Sequence, residues 1–287
     1  MKKGLQLAGL ALAAGCVFSA VACGDTLAIG KEFVSAPTQL EALSKLDKGE
    51  ADVAVIDSVM AGYYTSTGDY ADKMQVVDGL VLAEESYGIA AKKGNEALIS
   101  KINQGLLTVY NTAGAYRALA ESYGIEDSIA LTGSTTDPYA NATDSSWAEV
   151  VADGTIVIGY TIFAPIAFET EIAGVDVLTG FDIDLARAVM AAVNLMNQTN
   201  VEIEFLLIDW NTKEAKLEDG TIDLVWNGMT ITEEREAGMT ISVPYLYNKQ
   251  VAVVMNEDAD KYTTKDSMKD AIMTAESGSA GDSVIKG

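Results

Sequence analysis

The sequence contains no histidine, and its two cysteines, Cys16 and Cys23, both lie near the N-terminus. Because histidine is the usual general base near neutral pH and the commonest metal ligand, its absence lowers the expectation of an enzyme, and no metal or cofactor is expected. No disulfide is expected within the folded part, because both cysteines precede it. Proline is also scarce, with four in 287 residues, and the hydrophobic fraction of 49% excludes a disordered chain.

Basic residues are few as well. The chain has 19 lysines and arginines against 42 aspartates and glutamates, a net charge of −23. Binding to nucleic acid depends on neutralising phosphates with basic side chains, so nucleic acid is excluded as a partner.

Residues 1–22 have the layout of a secretion signal: Lys2 and Lys3 are followed by an uncharged apolar run. The run ends in Ala-Val-Ala before Cys23, which resembles a bacterial lipobox, so Cys23 is predicted to carry lipid and to tether an extracytoplasmic protein to the membrane. Ordinary cleavage after Ala22 remains an alternative, and Cys16 is a second candidate for lipidation.

From Gly154 onward, short apolar runs alternate with amphipathic segments, a rhythm typical of an α/β fold. Strands are predicted over Thr155–Thr161, Val201–Ile208 and Ile222–Trp226, and short helices over Thr212–Leu217 and Thr232–Ala237. A longer helix has Phe181, Leu185, Val189 and Val193 on its buried face.

The earlier part of the chain shows the same alternation of apolar runs and amphipathic segments. A strand is predicted over Ala51–Ile56, and a long helical stretch over Asn95–Tyr123 with a break at Gly114. Residues 128–146 are rich in Ser, Thr, Asp and Ala and show neither the apolar period of a helix nor that of a strand, which predicts a flexible linker.

Four segments of the sequence follow one another in a recognisable order: GTIVIGYTIFAPIAFE (154–169), GFDIDLA (180–186), NGMTITEER (227–235) and the Gly-Ser-Ala-Gly run at 278–281. This ordered set resembles bacterial extracellular solute-binding proteins of family 3, which bind polar amino acids for ABC importers. The resemblance implies a two-lobed, periplasmic-binding-protein-like fold of type II.

One departure from the family concerns the order of segments. Residues 51–64 and 85–98 resemble segments that in the family follow the Gly-Ser-Ala-Gly run, but here they come first. The chain therefore looks circularly permuted, with residues 128–146 joining the ancestral termini. In family terms, lobe 1 comprises 147–245 and 88–127, and lobe 2 comprises 249–287 and 27–84.

A free amino acid carries a carboxylate and an ammonium, and each needs a partner when it leaves water. By resemblance, Arg235 binds the α-carboxylate, for which a planar guanidinium is well suited; a solvated surface arginine is the alternative. Asp57 matches the family's partner for the ammonium, although an aspartate here could instead cap the following helix.

The remaining predicted contacts also rest on the resemblance. Gly228 is assigned a backbone contact and Thr230 a hydroxyl or amide contact, while Ser279 and Ala280 could offer backbone N–H groups to the carboxylate. The alternatives are that Gly228 is an ordinary turn glycine and that Thr230 caps a helix.

Three aromatic residues complete the predicted pocket. Phe163 matches the ring that stacks on the ligand, and Tyr160 and Trp226 match neighbouring positions. Tyr160 stands where some relatives carry an aspartate, which predicts a less cationic ligand side chain. Trp226 could equally be a core aromatic.

The implied function is that of a monomeric, non-enzymatic binding component that delivers a free amino acid to an ABC transporter permease. Two alternatives stay open. Some proteins of this fold are dehydratases of cyclic acids, for which Glu169 could serve as the acid, and a surface lipoprotein could sense an amino acid without feeding a transporter.

Overall fold

The computed structural model describes residues 27–67 and 70–287, so the predicted signal segment, Cys16 and Cys23 lie outside the described residues. The strands are β1 (Glu32–Ala36), β2 (Val53–Asp57), β3 (Met74–Lys92), β4 (Thr155–Tyr160), β5 (Phe168–Ile172), β6 (Val175–Thr179), β7 (Glu202–Leu207), β8 (Leu224–Thr230), β9 (Met239–Ile241), β10 (Leu246–Met255) and β11 (Ile272–Glu276). The helices are α1 (Gln39–Asp47), α2 (Ser58–Ser66), α3 (Glu96–Asn111), α4 (Ala115–Ser122), α5 (Ser146–Asp153), α6 (Phe181–Asn197), α7 (Lys213–Glu218), α8 (Glu233–Gly238) and α9 (Ala280–Lys286).

Most strands join one mixed sheet in the order β1-β11-β2-β10-β3-β8-β4-β7, and β9 pairs with β3. The pairs β1–β11, β11–β2, β7–β4 and β4–β8 are parallel, whereas β10 and β3 run antiparallel to the strands beside them. β5 and β6 form a separate antiparallel hairpin. The predicted α/β class is confirmed.

Both faces of the sheet are covered, as alternate residues of single strands show. In β2, Val53 and Val55 belong to one apolar cluster, while Ala54 and Ile56 belong to another. Since successive side chains of a strand point to opposite faces, β2 is buried on both sides. This explains why its sequence is a continuous apolar run instead of an alternating one.

Two strands, β3 and β10, pass between separate groups of core residues. Val77 and Leu82 of β3 pack in a cluster with β2 and β11, whereas Tyr87 and Ile89 pack in a cluster with α3 and α6. In β10, Leu246 packs in the cluster with α3 and α6, whereas residues 251–254 pack in the two clusters that contain β2. We call the part around β1, β2 and β11 the β2 half, and the part around β4, β7, β8 and β9 the β8 half.

The elements expected in the β8 half are present. The strands predicted from apolar runs correspond to β4, β7 and β8, and the predicted 3.6-residue stripe lies on α6 with all four of its apolar residues fully buried. The predicted break at Gly114 separates α3 from α4, and its backbone is left-handed, with φ of 73°. Glycine adopts this conformation without steric cost.

Residues 128–146 run along α3 before α5 begins. The carboxylate of Asp137 accepts a hydrogen bond from the Ser100 hydroxyl at 2.6 Å, and Asp144 accepts from the Ala97 backbone N–H at 2.8 Å. These contacts anchor the segment to the N-terminal part of α3, an anchorage that its composition did not indicate.

Candidate functional site

The two halves meet at a cleft beside the carboxyl ends of β2, β4, β8 and β11. The cavity between its walls measures about 20 Å³, against roughly 300–1,000 Å³ for a small-ligand pocket. The walls therefore stand close together, and a ligand the size of an amino acid can enter only if they separate.

The structure brings seven of the nine predicted ligand-binding residues to the wall of this cleft. They are Asp57, Phe163, Gly228, Thr230, Arg235, Ser279 and Ala280.

Arg235 lies on α8, where the Thr232 hydroxyl caps the helix by accepting from the Arg235 backbone N–H at 3.2 Å. Its guanidinium donates to the carbonyl oxygens of Thr230 at 2.8 Å and Gly278 at 3.3 Å, and it lies 6.0 Å from the ring of Trp210. Because Gly278 follows β11, this one side chain contacts both halves. A guanidinium has five N–H donors, so three remain for a ligand.

Asp57 occupies the position before α2, but its side chain does not cap that helix. Its carboxylate instead accepts from the Tyr87 hydroxyl at 2.7 Å, from the Gln250 amide at 2.9 Å, and from the amides of Asn248 and Gln39. Three of these donors converge on Oδ1 and one on Oδ2. Since each oxygen has two lone pairs, Oδ2 can accept a further hydrogen bond.

A second carboxylate, that of Glu85, stands beside Asp57. The side-chain amides of Asn248 and Gln250 donate to both acids. Burial, and then the charge of Glu85, raise the pKa of Asp57 well above its usual range. An ammonium group placed here would oppose both effects, because it stabilises the ionised form of either acid.

The end of β8 is shaped by Gly228, whose φ is 61°. A β-carbon at this position would lie 2.7 Å from the ring of Phe163, so glycine is needed both for the backbone and for the space. The Gly228 N–H donates to the buried carboxyl of Asp182 at 2.8 Å. Two residues later, the Thr230 hydroxyl donates to Glu85 at 2.9 Å.

On the opposite wall, Ser279 caps α9 by accepting from the Asp282 backbone N–H at 3.2 Å. Its own N–H donates to the Glu276 carbonyl at 3.2 Å. One of the two predicted N–H contacts is therefore already engaged in the turn before α9.

Tyr160 and Trp226 are not among the residues that line the cleft. The Tyr160 ring packs edge-on against Phe205 at 6.3 Å, and Trp226, which is 1% exposed, packs against Tyr245 at 6.4 Å. Trp226 thus has the surroundings of a core aromatic. Glu169, the acid considered for a dehydratase, is exposed on the β5–β6 hairpin and also lies outside the lining.

Residues 156–277 match the model of a known family, described as bacterial extracellular solute-binding proteins, family 3. Over this stretch, the chain is similar to members of this family. The match begins well inside the chain and covers β4 to β11, including Phe163, Gly228, Thr230 and Arg235.

Several relatives match shorter or longer stretches of the chain. A probable histidine-binding protein of Neisseria gonorrhoeae is 34% identical over 90 residues, 31% of each chain. The virulence sensor protein BvgS of Bordetella pertussis is 26% identical over 231 residues, 78% of this chain and 17% of the sensor. The chain thus spans about a third or less of the length of these relatives.

Among solved structures, an ABC uptake transporter substrate-binding protein from Streptococcus pneumoniae with bound histidine is 34% identical. The similarity covers 33% of this chain and 35% of that one, with a TM-score of 0.27.

Six residues of the cleft wall were not among the predicted contacts. Thr161, Ile162 and Asn227 lie within the motifs, whereas Gln39 at the start of α1, Trp210 in the turn before α7 and Glu276 at the end of β11 lie outside them. No local pattern marked the last three. The position of Glu276 just before the Gly-Ser-Ala-Gly run was the one available signal. Glu276 is 5% exposed, and burial raises its pKa to about 8.

Within residues 27–67 and 70–287, no helix is both long and apolar enough to cross a membrane. In the same ranges, no cluster of three or more histidine, cysteine, aspartate or glutamate side chains is suited to hold a metal ion.

Proposed function

We propose that the protein binds a free amino acid in the cleft between its two halves. The supporting observation is that a guanidinium and a carboxylate, Arg235 and Asp57, line the same cleft from opposite halves. These are the two charges that an amino-acid zwitterion needs as partners when it leaves water. The α-carboxylate accepts from the unused N–H groups of Arg235, and the α-ammonium donates to Oδ2 of Asp57.

Binding is coupled to closure in this proposal. The two halves act as the lobes of a clamshell with the type II arrangement, and a ligand held by both lobes stabilises the closed form through contacts that the open form lacks. The hydrogen bond from Arg235 to the Gly278 carbonyl already joins the two walls. Opening has to break it, and ligand binding can replace it.

We further propose that the chain is circularly permuted relative to its family. The backbone N–H of Ala28 donates to the Ile285 carbonyl at 2.9 Å, so the segment that enters β1 lies directly beside α9. This is the proximity that a cut between residues 287 and 26 in an ancestral chain requires. The lobe boundaries expected from the family, 27–84 with 249–287 and 88–127 with 147–245, follow from the same idea.

In the cell, the proposed role is to deliver the amino acid to the permease of an ABC importer. The protein is an extracytoplasmic monomer tethered through lipidated Cys23, and it is not an enzyme. A sensory role without transport is the second candidate, and the match to a virulence sensor over 78% of the chain favours keeping it. Uptake of labelled amino acid by cells with and without the protein separates the two roles.

The binding proposal is tested by titration calorimetry of the purified protein against the common amino acids. We expect one ligand class to bind, and Arg235→Ala to weaken its binding by at least 100-fold, because the charge-assisted bonds to the carboxylate are lost. Arg117→Ala is the matched control, since Arg117 is exposed on α4, away from the cleft. Equal affinities for the wild type and Arg235→Ala would remove Arg235 from the site.

A further inference from the structure

One ionisable side chain of the cleft has no role in holding the zwitterion. Glu276 ends β11 and lines the same cleft as Arg235 and Asp57. The residue is 5% exposed, and among the described residues none donates a hydrogen bond to its carboxyl group. A largely buried carboxyl group is normally hydrogen-bonded or paired with a charge, so this one is open to a partner from the cleft.

The protein's own cation beside Glu276 does not fill that place. The ammonium of Lys213 donates to the Trp210 carbonyl at 3.2 Å and pairs with Glu214 at 3.0 Å. Its charge acts on Glu276 from a distance and lowers the pKa of Glu276, whereas Asp209 raises it. Burial raises the pKa of Glu276 more than the charge of Lys213 lowers it. Among the described residues, no cation forms an ion pair with Glu276.

We propose that Glu276 selects the side chain of the bound amino acid, and that the ligand is an amino acid with a cationic side chain. The inference rests on the proposed binding function, in which Arg235 and Asp57 hold the α-carboxylate and the α-ammonium. With those two groups paired, a third charge on the ligand meets the carboxylate of Glu276. A neutral side chain leaves Glu276 in its protonated form, and an acidic side chain offers it no opposite charge.

The pairing includes a proton step. In the empty cleft, burial keeps Glu276 mostly protonated at pH 7. When a cationic side chain enters, it favours the ionised carboxylate, and the proton leaves to solvent. The other charged groups around Glu276 are present with or without this step: Arg235 and Asp57 line the cleft, and Lys213 and Asp209 act on Glu276 from outside it. The expectation of a less cationic ligand, drawn from Tyr160, loses its basis because Tyr160 does not line the cleft.

The test compares matched ligands by titration calorimetry: L-arginine with L-citrulline, which replaces the guanidinium by a neutral urea of similar shape, and L-lysine with L-norleucine. We expect the wild type to prefer the cationic member of at least one pair by 10-fold or more, the effect of one charge-assisted contact. Glu276→Gln should reduce that preference to less than about 3-fold. Retained binding of the neutral member shows that the variant is folded.

A second readout compares proton release in the wild type and in Glu276→Gln. Titration of the preferred cationic ligand at pH 7 in two buffers of different ionisation enthalpy should show about one more proton released per ligand by the wild type, because any proton released at Asp57 is common to both proteins.

Three outcomes overturn the assignment: a neutral or acidic amino acid binding more tightly than every cationic one, an unchanged preference in Glu276→Gln, or equal proton release by the wild type and Glu276→Gln. A protein that binds no amino acid at all refutes the proposed function itself, which is a different result.

Discussion

Asp182 provides a quantitative test of how burial acts on the site. It lies in the first turn of α6 and is 1% exposed. Its Oδ2 accepts from the Gly228 N–H at 2.8 Å and from the Tyr245 hydroxyl at 2.7 Å, while its Oδ1 has no partner among the described residues. Burial raises the pKa of Asp182 from 3.8 to about 7, against the lowering effect of the two hydrogen bonds.

The raised pKa predicts that stability falls as the pH rises. Between about pH 4 and pH 7 the unfolded chain releases the Asp182 proton while the folded protein keeps it, so each pH unit lowers the free energy of unfolding by about 1.4 kcal/mol. Above pH 7 both states are ionised, and the effect levels off. From pH 5 to pH 7 the loss attributable to Asp182 is therefore about 2 to 3 kcal/mol.

The perturbation is Asp182→Asn. Asparagine cannot ionise, but its carbonyl oxygen can still accept from Gly228 and Tyr245. Its buried NH₂ group lacks an acceptor, which costs about 1–3 kcal/mol at every pH. The free energy of unfolding of the wild type minus that of Asp182→Asn should thus decrease by about 2 kcal/mol between pH 5 and pH 7. Contributions from other acids are common to both proteins and cancel.

The assay is urea unfolding followed by tryptophan fluorescence at pH 5, 6, 7 and 8. Asp176→Asn is the control, because Asp176 is exposed on the β5–β6 hairpin, and its difference from the wild type should not change with pH. A difference between the wild type and Asp182→Asn that is constant from pH 5 to pH 7 would refute the reasoning that burial keeps Asp182 protonated.

Two further predictions compare glycines that differ in the space around them. Gly228→Ala should lower the melting temperature and abolish amino-acid binding, because its β-carbon would lie 2.7 Å from an atom of the Phe163 ring. Gly220→Ala is the control, also at positive φ but in open space, and it should preserve binding. Loss of binding in both variants would contradict the steric argument. Gly105→Ala should reduce stability by about 1–3 kcal/mol, since its β-carbon would lie 2.6 Å from Val189 where α3 packs on α6. Gly62→Ala, in an open position on α2, should instead add about 0.5–1 kcal/mol, and chemical unfolding of both variants checks the opposite signs.

The elements that sequence patterns predicted well are those in which burial follows one simple period. α6 has an apolar residue every four positions because one face packs against the core, and β2 is apolar throughout because helices cover both its faces. β3 was not predicted as a strand of 19 residues. Its sequence mixes exposed and buried positions because it pairs with different partners along its length, so no single period describes it.

The candidate site was predictable only as far as the family motifs reach. Arg235 and Gly228 lie in one continuous motif, and the structure brings both to the cleft. Glu276 and Gln39 become neighbours of that motif only through the packing of the β2 half against the β8 half. Tyr160 shows the opposite case: its place in a motif suggested a pocket residue, but its ring packs against Phe205.

The passage of β3 and β10 from one half to the other determines what kind of motion the protein can make. Residues Leu246–Gln250 pair in register with Ala83–Tyr87, so the connection is a hydrogen-bonded two-stranded ribbon and not a pair of independent loops. A ribbon of this kind resists sliding and stretching but yields to bending and twisting. Opening should therefore follow a single arc, and substitutions that stiffen the ribbon should slow ligand exchange without touching any ligand contact.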